Sequence, residues 1–294
     1  MLSPNARVIS VILSIFLSGA SAWSQNTEIY NRFAGKYVTG HSFGGGSIIL
    51  KADGTFSEGG GSDDGTVIKT EGNYRLAGSK LQFEITKDTL RRGDRPEIDL
   101  LNAAEVKKYF GSSEKPTPKE FVRIPVEWAG RIYLIPEEDM RRFADAVNLG
   151  IEPRPELTSD DYKGSPWLGS FYLREGDEKK KATGRPVLPA QWNELLLTRP
   201  IRATVIKIDH VEEKKYGTVY TATINRGSRD GLRVGMMLVR ADENLMPGDT
   251  EVVSVESRRA QITTRNVPGK LRAGQRISSV FKSRWRMFGP KEPR

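Results

Sequence analysis

The clearest fold signal in the chain is the segment Thr218–Val239, which reads TVYTATINRGSRDGLRVGMMLV. A run rich in Thr, Val and Ile leads into a turn rich in Gly, Asn and Asp, and a second apolar run follows. Similar short runs separated by turns fill the block 201–281, a spacing that is typical of a small β-barrel. The block predicts six strands, at Ala203–Ile208, Thr218–Ile224, Met236–Val239, Glu251–Val255, Ala260–Thr264 and Arg276–Val280.

The turn inside this segment resembles a signature of bacterial envelope barrels, approximately N-x-G-x-x-D-G-(V/L)-x-x-G-(M/D). Four residues carry the match: Gly227, Asp230, Gly231 and Gly235. The signature is similar to that of the C-terminal domain of the flagellar assembly protein T group. The resemblance covers the barrel block alone and implies an envelope-associated, non-catalytic barrel in which the four residues form a structural turn. It does not imply a flagellar role.

The N-terminal region 33–90 predicts an antiparallel β-meander. Asp53-Gly54 lies between two short β-like runs, which is a strong hairpin signal. Leu81–Ile85 alternates apolar and polar residues, as a half-buried strand does. The Gly- and Asp-rich stretch Glu58–Gly65 predicts a flexible loop. The order of these features resembles the small lipocalin-like sheets of secreted bacterial proteins, which implies a carrier of a small apolar ligand as one possible function.

The middle region 91–200 predicts an α+β segment with a linker. Leu100–Phe110 is expected to form a helix capped by Asp99, and 121–136 a hairpin in which Pro125 places its strand at a sheet edge, because proline lacks an N–H. The clearest helix follows Pro136 and ends at Gly150. Its apolar face consists of Met140, Phe143, Ala144 and Val147. The expected fold class is therefore mainly β, with a smaller α+β component.

Residues 1–22 predict a secretory signal peptide. Arg7 precedes the apolar run Val8–Leu17, and Ala20 and Ala22 provide the small residues of a cleavage site. The apolar run is shorter than the ~20 residues of a membrane-spanning helix, although an uncleaved anchor and a buried helix are the alternatives. No second run approaches that length, so no transmembrane segment is expected in the mature chain. The sequence has no Cys, which excludes disulfides. We expect a bacterial protein exported to the periplasm or secreted.

The net excess of positive charge lies entirely in the C-terminal third. Residues 201–294 contain 19 Lys and Arg against 10 Asp and Glu, whereas residues 1–200 contain 27 of each. This asymmetry favours contact with an anionic polymer or membrane surface, and a merely basic, solvated domain is the alternative. The tail 282–294 alternates bases and aromatics, and its expected surface contacts are Lys282, Arg284, Trp285, Arg286 and Lys291.

Signals for catalysis are weak. The two histidines, His41 and His210, are far apart in sequence, and no G-x-S-x-G elbow occurs. The acidic residues have simpler explanations than catalysis or metal binding. Asp53, Asp63 and Asp64 lie in Gly-rich loops, the pair Glu137-Glu138 lies at a helix start, and the pair Glu212-Glu213 lies at a solvated hairpin tip. We therefore expect no enzyme activity, metal or cofactor. The preferred hypothesis is an exported binding or scaffolding protein whose partner is an unknown protein or an anionic envelope component, with nucleic acid not expected.

Overall fold

The computed structural model describes residues 30–41, 44–111, 114–150, 171–215, 217–240, 250–265 and 270–280. The fold is mainly β, which confirms the predicted fold class. The chain divides into two compact units. The first comprises the described residues up to 38 together with 44–123, and the second comprises 39–41 and the described residues from 124 onwards.

The N-terminal meander contains five long strands. They are β1 (Gly35–His41), β2 (Gly44–Leu50), β3 (Thr55–Ser62), β4 (Thr66–Ala77) and β5 (Lys80–Arg92). The predicted hairpin turn at Asp53-Gly54 joins β2 to β3. The Asp53 carboxylate accepts a hydrogen bond from the Thr55 N–H at 2.9 Å, and Gly54 has a φ of 84°, which glycine adopts without strain.

The predicted loop at Glu58–Gly65 is wrong for most of its length. Residues 58–62 continue β3, which pairs on one side with β2 and on the other with β4. Gly60, for example, lies opposite both Gly46 and Ile68. Glycine disfavours a strand locally, but backbone hydrogen bonds to two neighbouring strands override that preference.

A short strand and a helix follow the meander. The strand is β6 (Ile98–Asp99), and the helix is α1 (Ala103–Phe110). The predicted cap is wrong, because Asn102 rather than Asp99 caps α1. Its side-chain oxygen accepts hydrogen bonds from the backbone N–H groups of Ala104 and Glu105, at 3.0 and 3.4 Å.

Three further strands extend the same sheet, namely β7 (Glu120–Trp128), β8 (Arg131–Pro136) and β9 (Tyr172–Arg174). The edge position predicted for Pro125 is wrong, because β7 lies between β8 and β5. β5 pairs with residues 120–123 only, so Pro125 lies beyond that ladder, where its missing N–H leaves no β5 carbonyl unpaired.

The strands of this sheet follow the order β4-β3-β2-β1-β9-β8-β7-β5-β6, and β4 also pairs with β5. Because this last pairing joins the two ends of the series, eight antiparallel strands close into a ring and β6 remains outside it. We call this ring the wide barrel. A tight position in it is Gly72, opposite Phe56, where a side chain would overlap the carbonyl oxygen of Glu84.

A helix follows β8 as predicted. A 3₁₀ turn at Glu137–Asp139 leads into α2 (Met140–Leu149), and Gly150 ends α2 with a φ of 75°. Met140, Phe143 and Ala144 of the predicted apolar face are buried. Phe143 packs edge-on against Tyr133 of β8, with ring centroids 5.2 Å apart. A four-residue helix, α3 (Ala190–Asn193), precedes the C-terminal block.

The C-terminal block forms a closed six-stranded barrel, which we call the narrow barrel. Its strands are β10 (Arg202–Lys214), β11 (Gly217–Ile224), β12 (Met237–Arg240), β13 (Thr250–Val255), β14 (Ala260–Arg265) and β15 (Arg276–Ser278), in the order β10-β11-β14-β13-β12-β15. Every predicted strand of the block is present. Its core is aliphatic and includes Val205, Ile224, Leu238, Val252 and Ile262.

Candidate functional site

The signature turn connects β11 to β12 in the narrow barrel. The Asp230 carboxylate accepts a hydrogen bond from the Gly227 N–H at 3.1 Å, and the Gly227 carbonyl accepts from the Asp230 N–H at 3.0 Å. Gly231 and Gly235 have φ values of 95° and 79°, in the left-handed region that favours glycine. The structure thus places all four signature residues in one connection and gives each a backbone role.

This connection packs directly on the turn between β13 and β14. The N–H of Ser228 donates to the Glu256 carbonyl at 2.8 Å, and the N–H of Arg229 donates to the Ser257 carbonyl at 3.1 Å. Gly227 permits the approach, because a side chain there would overlap the carbonyl oxygen of Glu256 and lie 2.7 Å from the Arg258 nitrogen. The two turns therefore form one continuous surface at this end of the narrow barrel.

Four arginines emerge from that surface, namely Arg226, Arg229, Arg258 and Arg259, and we call them the arginine cluster. Arg226 is half-buried and forms an ion pair with Asp230, at 3.4 Å between Nε and Oδ1. The other three are exposed, and within the part of the chain that the structure describes they have no acidic partner. Glu256 is the other acidic residue of the two turns.

Helix α2 packs on the start of β12. The Arg141 guanidinium donates to the Val234 carbonyl, and the Asp145 carboxylate accepts from the Met237 N–H at 3.3 Å. Ala146, Leu149 and Val239 form a small buried apolar cluster at the same contact. These interactions fix the far end of the signature connection, so both of its ends are held by neighbouring structure.

Asp145 is an unusual group in this contact, because it is a buried carboxyl on the helix. Its pKa is raised to about 7, mainly because it is buried. The Glu251 charge adds to this rise, whereas the Met237 N–H, Arg141 and Arg233 oppose it. The carboxyl therefore exchanges its proton near neutral pH. Sequence reasoning missed it, because Asp145 lies beside the apolar face that the periodicity predicted and nothing local marks it as buried.

The wide barrel has its own candidate site, a cavity of about 640 Å³ beside the Asp53-Gly54 turn. Its lining includes a row of aromatic rings in which Phe121 stacks on Phe83, with ring centroids 4.5 Å apart, and Phe83 stacks on Tyr74, at 6.0 Å. The lining also includes the polar residues Asn73, Arg75, Glu84 and Glu120.

The geometry of this cavity bears on the carrier hypothesis. Tyr74 and Phe83 are buried, and the Arg123 guanidinium lies 4.7 Å from the Phe121 ring centroid. The cavity is thus lined both by aromatic rings and by carboxylates, amides and a guanidinium group. Pockets for small ligands are usually lined mainly by apolar groups, so this lining suits water and polar groups better than an apolar ligand.

The sequence candidates for chemistry do not converge among the described residues. Asp53 lies before β3 and Asp64 after it, so the length of that strand, about 3.3 Å per residue, separates them. Glu137 and Glu138 belong to the 3₁₀ turn before α2. Glu213 accepts a hydrogen bond from the Thr218 hydroxyl at 2.8 Å, in the β10–β11 hairpin. His210 is exposed on β10, and His41 lies in β1.

Residue types that bind metals do not cluster in the described part of the chain either. Among the residues that the structure describes, no group of three or more His, Cys, Asp or Glu side chains is placed to hold a metal ion. No helix in those ranges is both long and apolar enough to cross a membrane.

Two predicted sites lie outside the described residues. They are the signal cleavage site, Ala20 and Ala22, and the surface contacts of the tail, Lys282, Arg284, Trp285, Arg286 and Lys291. The arginine cluster was not singled out by the sequence. The doublet Arg258-Arg259, at a predicted strand connection and within the segment that holds the charge excess, is the signal that could have found it.

Comparison with known proteins gives no match: no family model, no curated protein and no solved structure is similar to this chain.

Proposed function

We propose that this chain is an exported, non-enzymatic bacterial protein that binds an anionic partner through its C-terminal narrow barrel. The observation that carries the proposal is the arginine cluster, in which three exposed arginines lie on two turns in direct contact and have no acidic partner among the described residues. It lies within the segment that holds the whole charge excess of the chain. The resemblance of the signature turn to envelope barrels supports an envelope setting.

The experiment is a binding titration of the chain without residues 1–22. It measures affinity for sulfonate and phosphate resins, polyanions and anionic vesicles at several salt concentrations. Binding that is dominated by charge weakens steeply with salt, because the Debye length shortens from about 30 Å at 0.01 M to about 10 Å at 0.1 M. Absence of binding at low salt, or binding that salt does not change, would contradict the proposal.

A second function, a carrier of a small apolar ligand, is favoured by the number of strands in the wide barrel, although the polar lining of its cavity counts against it. The wide barrel has the closed antiparallel ring of eight strands that can hold one small ligand. The test is saturable binding of the neutral probe N-phenylnaphthylamine, read from its fluorescence. Micromolar binding that Phe121→Ala changes would favour the carrier, and fluorescence no higher than for a denatured control would exclude it.

A further inference from the structure

The two turns that carry the arginine cluster are held together by hydrogen bonds between their backbones. Ser228 and Arg229 donate to the carbonyls of Glu256 and Ser257, and Asp230 closes the signature turn through the Gly227 N–H. The backbones that carry Arg229, Arg258 and Arg259 are therefore held side by side. A partner meets these charges as one preformed group.

The type of cation is informative. All four members are arginine, although lysine is common elsewhere in the chain. The guanidinium presents five N–H donors in a planar fork that matches two oxygens of a phosphate, and it is less strongly hydrated than an ammonium group. A cluster made only of arginines therefore favours oxyanions that are bound through paired hydrogen bonds.

The two turns that carry the arginine cluster are entirely polar, while Val234, later in the β11–β12 connection, is exposed. Residues 225–231 and 256–259 contain only Asn, Arg, Gly, Ser, Asp and Glu. Proteins that enter a membrane interface place aromatic and aliphatic side chains among their cations, and these two turns have none. The composition favours a polyanion in solution over a lipid surface.

We propose that the arginine cluster is the contact site for a linear, phosphate-bearing polymer. This inference rests on the proposed function and names both its site and its ligand class. Arg229, Arg258 and Arg259 contact successive phosphates, while Arg226 remains paired with Asp230 and supports the turn. Glu256, between the two groups of arginines, lowers the affinity by repelling the polymer.

The experiment measures binding of medium-chain inorganic polyphosphate to the chain without residues 1–22, by fluorescence anisotropy at several salt concentrations. The cluster variant is Arg258→Gln with Arg259→Gln. The matched control is Lys270→Gln with Arg272→Gln, which removes two exposed cations that also have no acidic partner among the described residues. Both variants lower the net charge equally, so only position distinguishes them.

We expect the cluster variant to bind polyphosphate roughly tenfold more weakly and the control less than about threefold more weakly at the same salt. The salt dependence should also become shallower by roughly one contact for each arginine lost, as it does for nucleic acids. Glu256→Gln should bind more tightly than the unchanged protein. That gain cannot arise from misfolding, and the melting temperature of each variant checks folding separately.

Three outcomes would overturn the inference. Equal weakening in the cluster and control variants would show diffuse charge, and the proposed function would stand. Binding of polyglutamate or phosphatidylglycerol vesicles in preference to polyphosphate would replace the ligand class, again without removing the proposed function. Absence of binding to all three probes at low salt would remove both.

Discussion

The two barrels of this chain fill their interiors with different side chains. Buried residues on the strands of the wide barrel include Tyr37, Phe56, Tyr74 and Phe83, whereas the described core of the narrow barrel consists of Val, Ile, Leu, Ala and Met side chains with Tyr220 as its one aromatic residue. The strands of the wide barrel also bury aliphatic side chains, such as Ile48, Leu50 and Leu81. The diameter of a barrel grows with the number of strands, so the wider interior accommodates aromatic rings together with aliphatic groups, whereas the narrow one is filled mainly by aliphatic groups.

The two regions also differ in charge. Residues 1–200, which contain every strand of the wide barrel, are balanced, and residues 201–294 carry the net charge of +9. The aliphatic core of the narrow barrel is complete without these cations, many of which lie on its surface. Apolar burial therefore holds the barrel together, and the exposed basic residues that form no ion pair among the described residues, such as Arg258 and Arg259, are available for contact.

The largest expected effect is in the aromatic row of the wide barrel. Phe83→Ala removes a ring that contacts Phe56, Phe121 and Tyr74, and we expect a loss of about 3–5 kcal/mol in the free energy of unfolding. Urea denaturation followed by circular dichroism measures it. Hydrogen exchange of peptides from each barrel shows where the loss falls.

The matched change in the narrow barrel adds volume. Ala222 is fully buried, and Ala222→Leu should cost about 1–3 kcal/mol by overpacking. Each variant should raise hydrogen exchange mainly in its own barrel. If exchange rises equally in both barrels for both variants, the two cores are not independent and the comparison fails.

The next effect concerns pH. The ordinary pKa of Asp145 is 3.8, and its buried value is about 7. Because the folded pKa is raised, its stabilising contribution is fully present below about pH 4. It is lost as the pH rises from there through the folded pKa of about 7, by roughly 4 kcal/mol. Asp145→Asn keeps an acceptor for the Met237 N–H and should flatten this part of the profile of unfolding free energy against pH.

Glu138→Gln is the control for that profile, since Glu138 is an exposed acid beside the same helix. We expect it to leave the curve between pH 5 and 8 unchanged. A profile of Asp145→Asn that is parallel to that of the unchanged protein would show that the carboxyl does not titrate in this range.

A smaller effect tests the signature turn. Gly227→Ala places a methyl group against the Glu256 carbonyl, and we expect a cost of about 1–3 kcal/mol together with weaker polyphosphate binding. In the wide barrel, Gly78→Ala changes a glycine with a φ of 62° and open space around it, so its cost is about 1–2 kcal/mol from backbone strain alone. Only the Gly227 variant should alter binding, and a loss of binding in both would argue against a local role.

The smallest effect on stability is expected from deletion of residues 282–294. The deletion removes five basic residues and one acidic residue, so it lowers the net charge from +9 to +5. We expect the melting temperature to remain unchanged and retention on an anionic resin to fall. Unchanged retention would assign all of the charge-driven binding to the barrel itself.

Sequence reasoning succeeded where local pattern and tertiary environment agree. The six strands of the narrow barrel, the Asp53-Gly54 turn and helix α2 with its Gly150 end were predicted from alternation, turn residues and helical periodicity. It failed where pairing overrides local preference. Gly59–Gly61 lie in a strand because two neighbours bind their backbone, and Pro125 lies in an interior strand because the ladder with β5 ends at Arg123.

The candidate site also combines features that the local sequence shows with features that depend on tertiary contacts. The charge excess of the C-terminal third and the glycines of the signature turn are visible in the sequence. The approach of that turn to Arg258 and Arg259 is not, because some 30 residues separate the two turns along the chain and only barrel closure brings them together. The burial of Asp145 is equally invisible, since it requires β12 to pack on α2.

The sequence by itself determined the mainly β fold class, the positions of most strands and the location of the net charge, because alternation, turn chemistry and composition are local properties. Only the tertiary structure decided that the meander and the strands from Glu120 to Arg174 share one ring, and that distant arginines form a single surface. Those features depend on contacts between residues far apart in the chain, and the free energy that selects them is gained only when the barrels close.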